Sequence, residues 1–264
     1  MLYKLVAVDI DGTLLNSQGI ITEKTVNSIQ RAVEKGVIFT ICTGRPIQGV
    51  ERFNSILNLD APFITYNGAM IVMGKSKEIL FEQGLSTEGA RCILNWGKKL
   101  KTTIIVWSNN KLYVNELNER VHDYKQLSTV EPILIENEED MIQNGITKIL
   151  WYDNVEKINY YLNVLKDKLG EGVSYYTSKP TFLEFVDKRV SKAVAMEKLG
   201  SHFGIKSEEM IAIGDGFNDL PMIEYAGLGV AMGNSLEIIK ERADYVTFSN
   251  DEDGIAHVLD KFIV

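Results

Sequence analysis

The chain has 264 residues, of which 45% are apolar, and its 28 Lys and Arg residues against 36 Asp and Glu residues give a formal charge of −8. This composition excludes a disordered chain, and the negative charge disfavours nucleic acid and anionic membrane surfaces as partners. Two cysteines exclude a disulfide framework and a Cys-rich metal site. No apolar run has the length of a signal peptide core or a membrane span, so we expect a cytoplasmic globular protein.

Apolar runs alternate with amphipathic helical patterns at the start of the chain. The predicted elements are a strand at 4–8, a helix at 22–35, a strand at 37–42, a helix at 46–57 opened by Pro46, and a strand at 63–66. We expect the first helix to bury Val26, Ile29 and Val33. The βαβαβ order predicts a parallel sheet with right-handed crossovers.

The middle of the chain is richer in strands, and the end returns to the first pattern. Predicted strands lie at 104–107, 112–114, 133–135, 149–152, 173–176 and 182–186, with helices at about 87–101 and 155–169. The final elements are helices at 191–203, 219–225 and 236–242, with strands at 210–213, at 229–231 and near residue 245. We therefore predict an α+β insert at 85–189 within a core made of 1–84 and 190–264.

Carboxylates follow two of the predicted strands. Asp9 and Asp11 come after the first strand, and strand alternation is expected to place them on the same side. Asp215 and Asp219 follow the strand at 210–213. Open α/β sheets bind ligands at the carboxyl ends of their strands, and clustered carboxylates there would repel one another without a cation. All-oxygen ligation favours Mg²⁺.

Two further features point to an anionic ligand. Thr43, Gly44 and Arg45 follow the second strand, where a hydroxyl and backbone N–H groups before a helix can cradle a phosphate. Lys192 comes next to Ser191 at a helix start, where the helix dipole disfavours a cation. A fixed anion near Lys192 would compensate for this position.

Together these motifs resemble the haloacid dehalogenase superfamily of aspartate-dependent phosphohydrolases. The Asp-x-Asp-Gly-Thr loop at 9–13, Thr-Gly-Arg at 43–45, the helix lysine at 192 and the Gly-Asp-x-x-Asn-Asp loop at 214–219 occur in the family's order. Matches at 65–69, 183–192, 229–234 and 250–254 resemble the Cof-type branch, and within it bacterial sugar-phosphate phosphatases. The resemblance implies a Rossmann-like core with an inserted type IIB cap. Ala193 departs from the glycine that many relatives have.

The resemblance also implies roles for the acidic residues. Asp9 is expected to be the nucleophile that forms an aspartyl-phosphate, and Asp11 the acid–base partner. Mg²⁺ is expected on an Asp9 side-chain oxygen, the Asp11 backbone carbonyl and Asp215. Asp219 and Arg45 would support these groups without touching the reacting atoms.

The phosphoryl group would be held by N–H groups, a hydroxyl, an ammonium and an amide. These are expected from Ile10, Thr43, Gly44, Lys192 and Asn218. The expected partner is a small phosphomonoester, and the protein is expected to be a monomer or a homodimer.

Several alternatives stay open at this stage. Trp107, Asn109, Asn110 and Tyr113 could recognise sugar hydroxyls, although strand aromatics more often form a domain core. The substrate could instead be flavin mononucleotide or pyridoxal phosphate. A phosphomutase and a non-catalytic phosphosugar-binding protein share the fold, whereas Asp11 argues against a dehalogenase. The glycines at 227–233 miss the dinucleotide-binding spacing by one residue.

Overall fold

The computed structural model describes residues 2–166 and 168–264. They form two compact units. The first comprises residues 2–45, 50–81 and 191–264, and the second comprises residues 46–49 and 82–190. The predicted division places residues 46–49 in the core, whereas they belong to the second unit, in which Gln48 Nε2 donates to the Asn110 carbonyl at 3.2 Å.

The chain begins with five strands and two helices. They are β1 (Leu5–Val8), α1 (Glu23–Glu34), β2 (Ile38–Ile41), α2 (Gln48–Leu57), β3 (Phe63–Thr65), β4 (Met70–Val72) and β5 (Ile79–Glu82). The middle elements are α3 (Thr87–Leu100), β6 (Thr103–Ser108), β7 (Lys111–Val114), α4 (Glu119–Ser128), β8 (Pro132–Leu134), α5 (Glu138–Gln143), β9 (Lys148–Tyr152), α6 (Val155–Leu165), β10 (Val173–Lys179) and β11 (Phe182–Asp187). The final elements are α7 (Lys192–Phe203), β12 (Met210–Gly214), α8 (Leu220–Tyr225), β13 (Leu228–Ala231), α9 (Glu237–Lys240), β14 (Tyr245–Val246) and α10 (Gly254–Phe262).

The first unit is built on a five-stranded parallel sheet in the order β14-β13-β12-β1-β2. Strand β1, which lies between β2 and β12, is fully buried on both faces, as expected for a parallel sheet covered by helices. In register, Val8 lies beside Ile41 of β2 and Ile213 of β12. The residues that follow Val8, Ile41 and Ile213 therefore meet at one edge of the sheet.

The predicted third strand of this sheet is placed differently in the structure. β3 pairs antiparallel with β4 in a separate three-stranded sheet that also contains β5, and a parallel bridge between Cys42 and Ile64 joins it to the segment after β2. The sequence pattern does not predict β4 and β5. They turn back directly after β3, so the chain forms a hairpin before it enters the second unit.

The buried face of α1 also differs from the predicted one. Thr22, predicted as the first helical residue, instead caps the helix. Thr25, Ser28, Ile29 and Ala32 are buried, while Val33 is 39% exposed. The reason is α10, which the sequence pattern does not predict and which packs against α1. Ser28 Oγ donates to Asp260 of α10 at 3.0 Å, so a polar residue is accommodated in this interface.

The second unit is a six-stranded sheet in the order β10-β11-β9-β6-β7-β8, antiparallel except between β7 and β8. Its core joins alternate residues of β6, β9 and β11 to α3, α5 and α6, as in the contact of Trp151 with Tyr161 and Phe185. The sequence pattern does not predict α4 and α5. This architecture confirms the predicted parallel-sheet core with an inserted α+β unit.

Three predicted helix limits differ from the structure by two or more residues. α2 begins at Gln48 rather than Pro46, α6 ends at Leu165 rather than 169, and α9 ends at Lys240 rather than 242. Among the described residues, none of the helices combines the length and apolar character that crossing a bilayer requires.

Candidate active site

The carboxyl edge of the parallel sheet gathers three carboxylates. The Asp9 N–H donates to the Ile213 carbonyl at 3.0 Å, which fixes the end of β1 beside the end of β12. Asp215 follows β12, and Asp219 precedes α8. Carboxylate oxygens of Asp9, Asp215 and Asp219 all lie within 4.8 Å of one another, as the sequence predicted for clustered strand ends.

Lys192 neutralises part of this cluster. Its side chain is fully buried, and Nζ lies 2.6 Å from Asp9 Oδ1 and 2.5 Å from Asp219 Oδ1. The residue occupies the first position of α7, where Ser191 caps the helix by accepting from the Val194 N–H. The two carboxylates supply the fixed anion that this unfavourable position requires.

Asp219 uses both of its oxygens within the protein. Oδ1 accepts from Lys192, while Oδ2 accepts from the backbone N–H groups of Asp215 and Gly216 at 3.0 and 2.9 Å. The side chain is 1% exposed. Asp219 therefore holds Lys192 and the loop at 215–216 in place, and both of its oxygens already accept hydrogen bonds.

Asp9 and Asp215 each keep one oxygen without a hydrogen bond from the described residues. Asp9 Oδ1 accepts from Lys192, and Asp215 Oδ1 accepts from the Thr13 hydroxyl at 2.7 Å. Gly12 permits this approach, because it has a φ of +82° and a Cβ there would lie 2.4 Å from Asp215 Oδ2. The remaining oxygens of Asp9 and Asp215 are carboxylate donors suited to Mg²⁺.

The electrostatics of the cluster also fit a cation. Burial, together with the charges of Asp219 and Asp215, raises the pKa of Asp9 to about 8 despite the opposing effect of Lys192. Burial and Asp219 likewise raise the pKa of Asp215 to about 6. Burial lowers the pKa of Lys192, but Asp219 and Asp9 outweigh it and the net shift is upward. The cluster therefore holds more negative charge than Lys192 balances.

Asp11 does not join the carboxylate cluster. Its carboxylate forms a bidentate pair with Arg45, with Nε 2.8 Å from Oδ2 and Nη2 2.5 Å from Oδ1, and the side chain is 63% exposed. Its charge still contributes to the raised pKa of Asp215, so Asp11 lies beside the cluster rather than within it. The chain leaves the extended conformation after β1, since the N–H of Leu14 donates back to the Asp9 carbonyl.

The predicted phosphate-binding residues lie on the loops around the cluster. Ile10 is buried directly after Asp9, and Thr43 is buried at the end of β2 with its hydroxyl accepting from the Arg45 N–H at 3.2 Å. Gly44 follows Thr43 on the same loop. Asn218 lies on the loop between Asp215 and Asp219, and its Nδ2 donates to Asn67 Oδ1 at 3.2 Å.

Two segments near the end of the chain, one after β13 and one after β14, hold the loop at 9–15. Asn234 Nδ2 donates to the Gly12 carbonyl at 2.9 Å, and Asn250 Nδ2 donates to the Leu15 carbonyl at 2.8 Å. Asn234 Oδ1 in turn accepts from the Asn250 N–H at 3.0 Å. The motif matches at 229–234 and 250–254 were the sequence feature that pointed to these residues, but only the fold shows that they contact the loop at 9–15.

The candidate sugar-recognition residues of the second unit have different environments. Trp107 is fully buried, and its Nε1 donates to Tyr124 at 2.9 Å, so it belongs to the core of this unit. Tyr113 packs partly buried against the same core. Asn109 and Asn110 form the turn between β6 and β7, both with positive φ. Of the two alternatives left open for Trp107, its burial supports the domain core.

A parallel sheet with a buried, lysine-paired aspartate directly after β1 and two further carboxylates after β12 defines an α/β protein with an acidic ligand site at its strand ends. The model of the haloacid dehalogenase-like hydrolases matches residues 6–259, and the chain belongs to this family. The predicted resemblance and the type of enzyme, a phosphatase, are thereby confirmed.

Similar proteins cover essentially the whole chain. The phosphatase YcsE of Bacillus subtilis, named for 5-amino-6-(5-phospho-D-ribitylamino)uracil, is 31% identical over 261 residues, which cover 99% of this chain and 96% of that protein. A haloacid dehalogenase-like hydrolase from Bacteroides thetaiotaomicron superimposes with a TM-score of 0.89 at 31% identity, covering 98% of this chain and 99% of that one. The subclass IIB sugar phosphatase BT4131 superimposes with a TM-score of 0.84 at 27% identity, covering 99% and 100%.

Proposed function

We propose that the protein is a Mg²⁺-dependent phosphohydrolase of small phosphorylated metabolites, with sugar phosphates as the first candidates. The observation that carries the proposal is the setting of Asp9, which is 6% exposed, paired with Lys192 and clustered with Asp215. A carboxylate in this setting can attack phosphorus without a general base once it is ionised. The sugar phosphatase BT4131 and the phosphatase YcsE support this substrate class.

In the proposed reaction an Asp9 oxygen attacks the phosphorus atom and forms an aspartyl-phosphate while the bond to the leaving oxygen breaks. Asp11 gives a proton to the leaving alkoxide. In the second step Asp11 takes a proton from water, the water oxygen attacks the phosphorus atom, and orthophosphate leaves while Asp9 is regenerated. Arg45 holds Asp11 at the side of the site, so Asp11 must leave this pair to act on substrate.

Lys192 and the surrounding loops would bind the phosphoryl oxygens. The Lys192 ammonium, the Thr43 hydroxyl, the N–H groups of Ile10 and Gly44 and the Asn218 amide offer fixed donors. Such donors stabilise charge that develops in the transition state, and loss of one typically costs on the order of 10²–10³ in rate.

The residues present fit Mg²⁺, because Asp9 and Asp215 provide open carboxylate oxygens in a cluster with excess negative charge. Asp9, the Asp11 carbonyl and Asp215 would hold the ion. When bound, Mg²⁺ supplies positive charge that offsets these carboxylates and the substrate phosphate. Because burial raises the pKa of Asp9 to about 8, this added charge also favours the ionised, nucleophilic form of Asp9.

A second candidate substrate is 5-amino-6-(5-phospho-D-ribitylamino)uracil. It is supported by YcsE and by YitU, another Bacillus subtilis phosphatase named for it, which is 27% identical over 262 residues. Flavin mononucleotide and pyridoxal phosphate stay in the panel as further phosphomonoesters. The monomeric or homodimeric state and the cytoplasmic location stay predictions.

The test is orthophosphate release from p-nitrophenyl phosphate and from a panel of sugar phosphates, the ribitylaminouracil phosphate, flavin mononucleotide and pyridoxal phosphate. We expect release with Mg²⁺ and none with excess EDTA, and restored release when Mg²⁺ is added back. The matched control is Asp9→Asn, which keeps the side-chain shape and removes the nucleophile. Release that survives in EDTA would refute the Mg²⁺ requirement. Absence of release from every compound would favour a mutase or a binding protein.

A further inference from the structure

Three consecutive residues after β3 adopt left-handed backbone conformations. The φ angles of Tyr66, Asn67 and Gly68 are 52°, 56° and 103°. Glycine and asparagine tolerate this region, whereas an aromatic residue rarely enters it. All three residues are buried. A strained, buried run of this kind persists only where its surroundings fix it, and such runs concentrate at functional sites.

The surroundings of the run belong to the candidate active site. The Asn67 N–H donates to the Thr43 carbonyl at 2.9 Å, and the Tyr66 N–H donates to the Arg45 carbonyl at 3.1 Å. On the other side, a Cβ on Gly68 would lie 2.2 Å from the Ser191 carbonyl oxygen, so only glycine fits against the start of α7. The run therefore joins the phosphate-binding loop at 43–45 to the helix that carries Lys192.

The Asn67 side chain extends this arrangement to a third loop. It is 7% exposed, and its Oδ1 accepts from Asn218 Nδ2 at 3.2 Å. A Cβ on Gly44 would lie 2.9 Å from Asn67 Nδ2. The amide of Asn67 therefore lies against both Gly44 and Asn218, which are the two residues expected to contact the phosphoryl group from these loops.

We propose that Asn67 is a positioning residue that fixes the amide of Asn218 for binding of the phosphoryl group. The proposal rests on the proposed function, because it takes Asn218 as a phosphate donor. Asn218 lies on an exposed loop, and its contact with Asn67 restricts the rotation of its amide. The left-handed backbone fixes Asn67 in turn, so the strain at 66–68 serves the geometry of the site.

The test is a double-mutant cycle between Asn67→Gly and Asn218→Ala. Glycine keeps the left-handed backbone at position 67 and removes only the amide. The matched control is Asn58→Gly, since Asn58 also has a positive φ, of 50°, but an exposed side chain. Two quantities are measured with Mg²⁺ present: kcat and KM for p-nitrophenyl phosphate, and the Kd of inorganic phosphate by calorimetry.

We expect Asn67→Gly to lower kcat/KM and to weaken inorganic phosphate binding by about 3- to 10-fold, the range for loss of one neutral hydrogen bond. We expect no further loss when Asn67→Gly is added to Asn218→Ala, and no change in Asn58→Gly. Additive losses would overturn the proposal, because Asn67 would then act independently of Asn218. A lowered melting temperature with unchanged constants would overturn it too, by showing a structural role only.

The phosphate measurement separates this proposal from the proposed function. If the wild-type protein binds inorganic phosphate but releases none from any substrate, the proposed function fails. The double-mutant cycle can then still be evaluated from the Kd values of inorganic phosphate, so the role of Asn67 is tested independently. If the wild-type protein neither turns over nor binds phosphate, both proposals are overturned.

Discussion

Neutralising Asp215 and neutralising Asp219 should have opposite effects, although the two aspartates are four residues apart on one loop. Asp219 accepts three hydrogen bonds and is 1% exposed, whereas Asp215 accepts one from Thr13 and has an open oxygen. We expect Asp219→Asn to lower the free energy of unfolding without Mg²⁺. We expect Asp215→Asn to raise that free energy at pH 8 and to lose the stabilisation that Mg²⁺ provides.

The structure sets the size of the Asp219 effect. An asparagine has one acceptor oxygen, so it cannot satisfy both the Lys192 ammonium on one side and the two backbone N–H groups on the other. Its NH₂ group would face donors, and the buried Lys192 would keep only Asp9 as a charged partner. Breaking a buried, hydrogen-bonded ion pair in this way costs about 3–5 kcal/mol.

The Asp215 effect follows from its raised pKa. The folded carboxyl has a pKa of about 6 against 3.8 for the ordinary group, so ionisation destabilises the fold as the pH rises from about 4 to about 6. Two pKa units correspond to about 3 kcal/mol, which solvent screening reduces to about 1–2 kcal/mol. Asp215→Asn removes this cost above pH 6, and it can still accept from Thr13.

The assay is urea unfolding at pH 8 in EDTA and in excess Mg²⁺, with the free energy obtained by linear extrapolation. A second measurement at pH 4 should show no gain for Asp215→Asn, because the wild-type carboxyl is then protonated. The reasoning would be refuted if Asp219→Asn kept its stability in EDTA and lost the Mg²⁺ effect while Asp215→Asn kept that effect. Asp219 would then be the metal ligand.

Three further predictions address the proposed nucleophile, the second unit and the loop at 9–15. Asp9→Asn should abolish orthophosphate release with an unchanged circular dichroism spectrum, and a remaining burst of product would indicate another nucleophile. Lys148→Met should lower the unfolding free energy by about 3 kcal/mol in a urea titration, because it leaves Glu184 buried without its 2.9 Å ion pair; an unchanged midpoint would contradict this. Asn250→Ala should lower kcat at least tenfold, because it removes the hydrogen bond to the Leu15 carbonyl and loosens the loop that follows Asp9. A kcat within twofold of the wild-type value would contradict this prediction.

The sequence predicted the motif residues better than the paths between them. Strand ends in a parallel sheet meet at one edge, so the meeting of Asp9 and Asp215 followed from the order of elements alone. The position of Asp11 outside this cluster could not be predicted from the order of elements. It depends on where the strand ends and the turn begins, which is set by hydrogen bonds such as that from the Leu14 N–H to the Asp9 carbonyl. Its pairing with Arg45 also depends on the course of two loops.

The missed contributors share one property. Asn67, Asn234 and Asn250 form side-chain hydrogen bonds to carbonyl or amide groups that are distant in sequence, by 151 residues for Asn67 and Asn218 and by 222 residues for Asn234 and Gly12. Periodicity and composition carry no information about such contacts. The predicted buried face of α1 was wrong for a related reason. Its partner α10 was not predicted, so nothing indicated that the polar side chain of Ser28 would be buried against another helix.

The order of strands in the parallel sheet has a consequence for synthesis of the chain. β1 is translated first, but it lies between β2 and β12, and β12 begins only at Met210. Until that residue has left the ribosome, one edge of an entirely apolar strand lacks its partner. Most of the second unit, residues 82–190, is translated during this interval. The nascent chain therefore carries an open strand edge, which is a site for association with other chains, for most of its elongation.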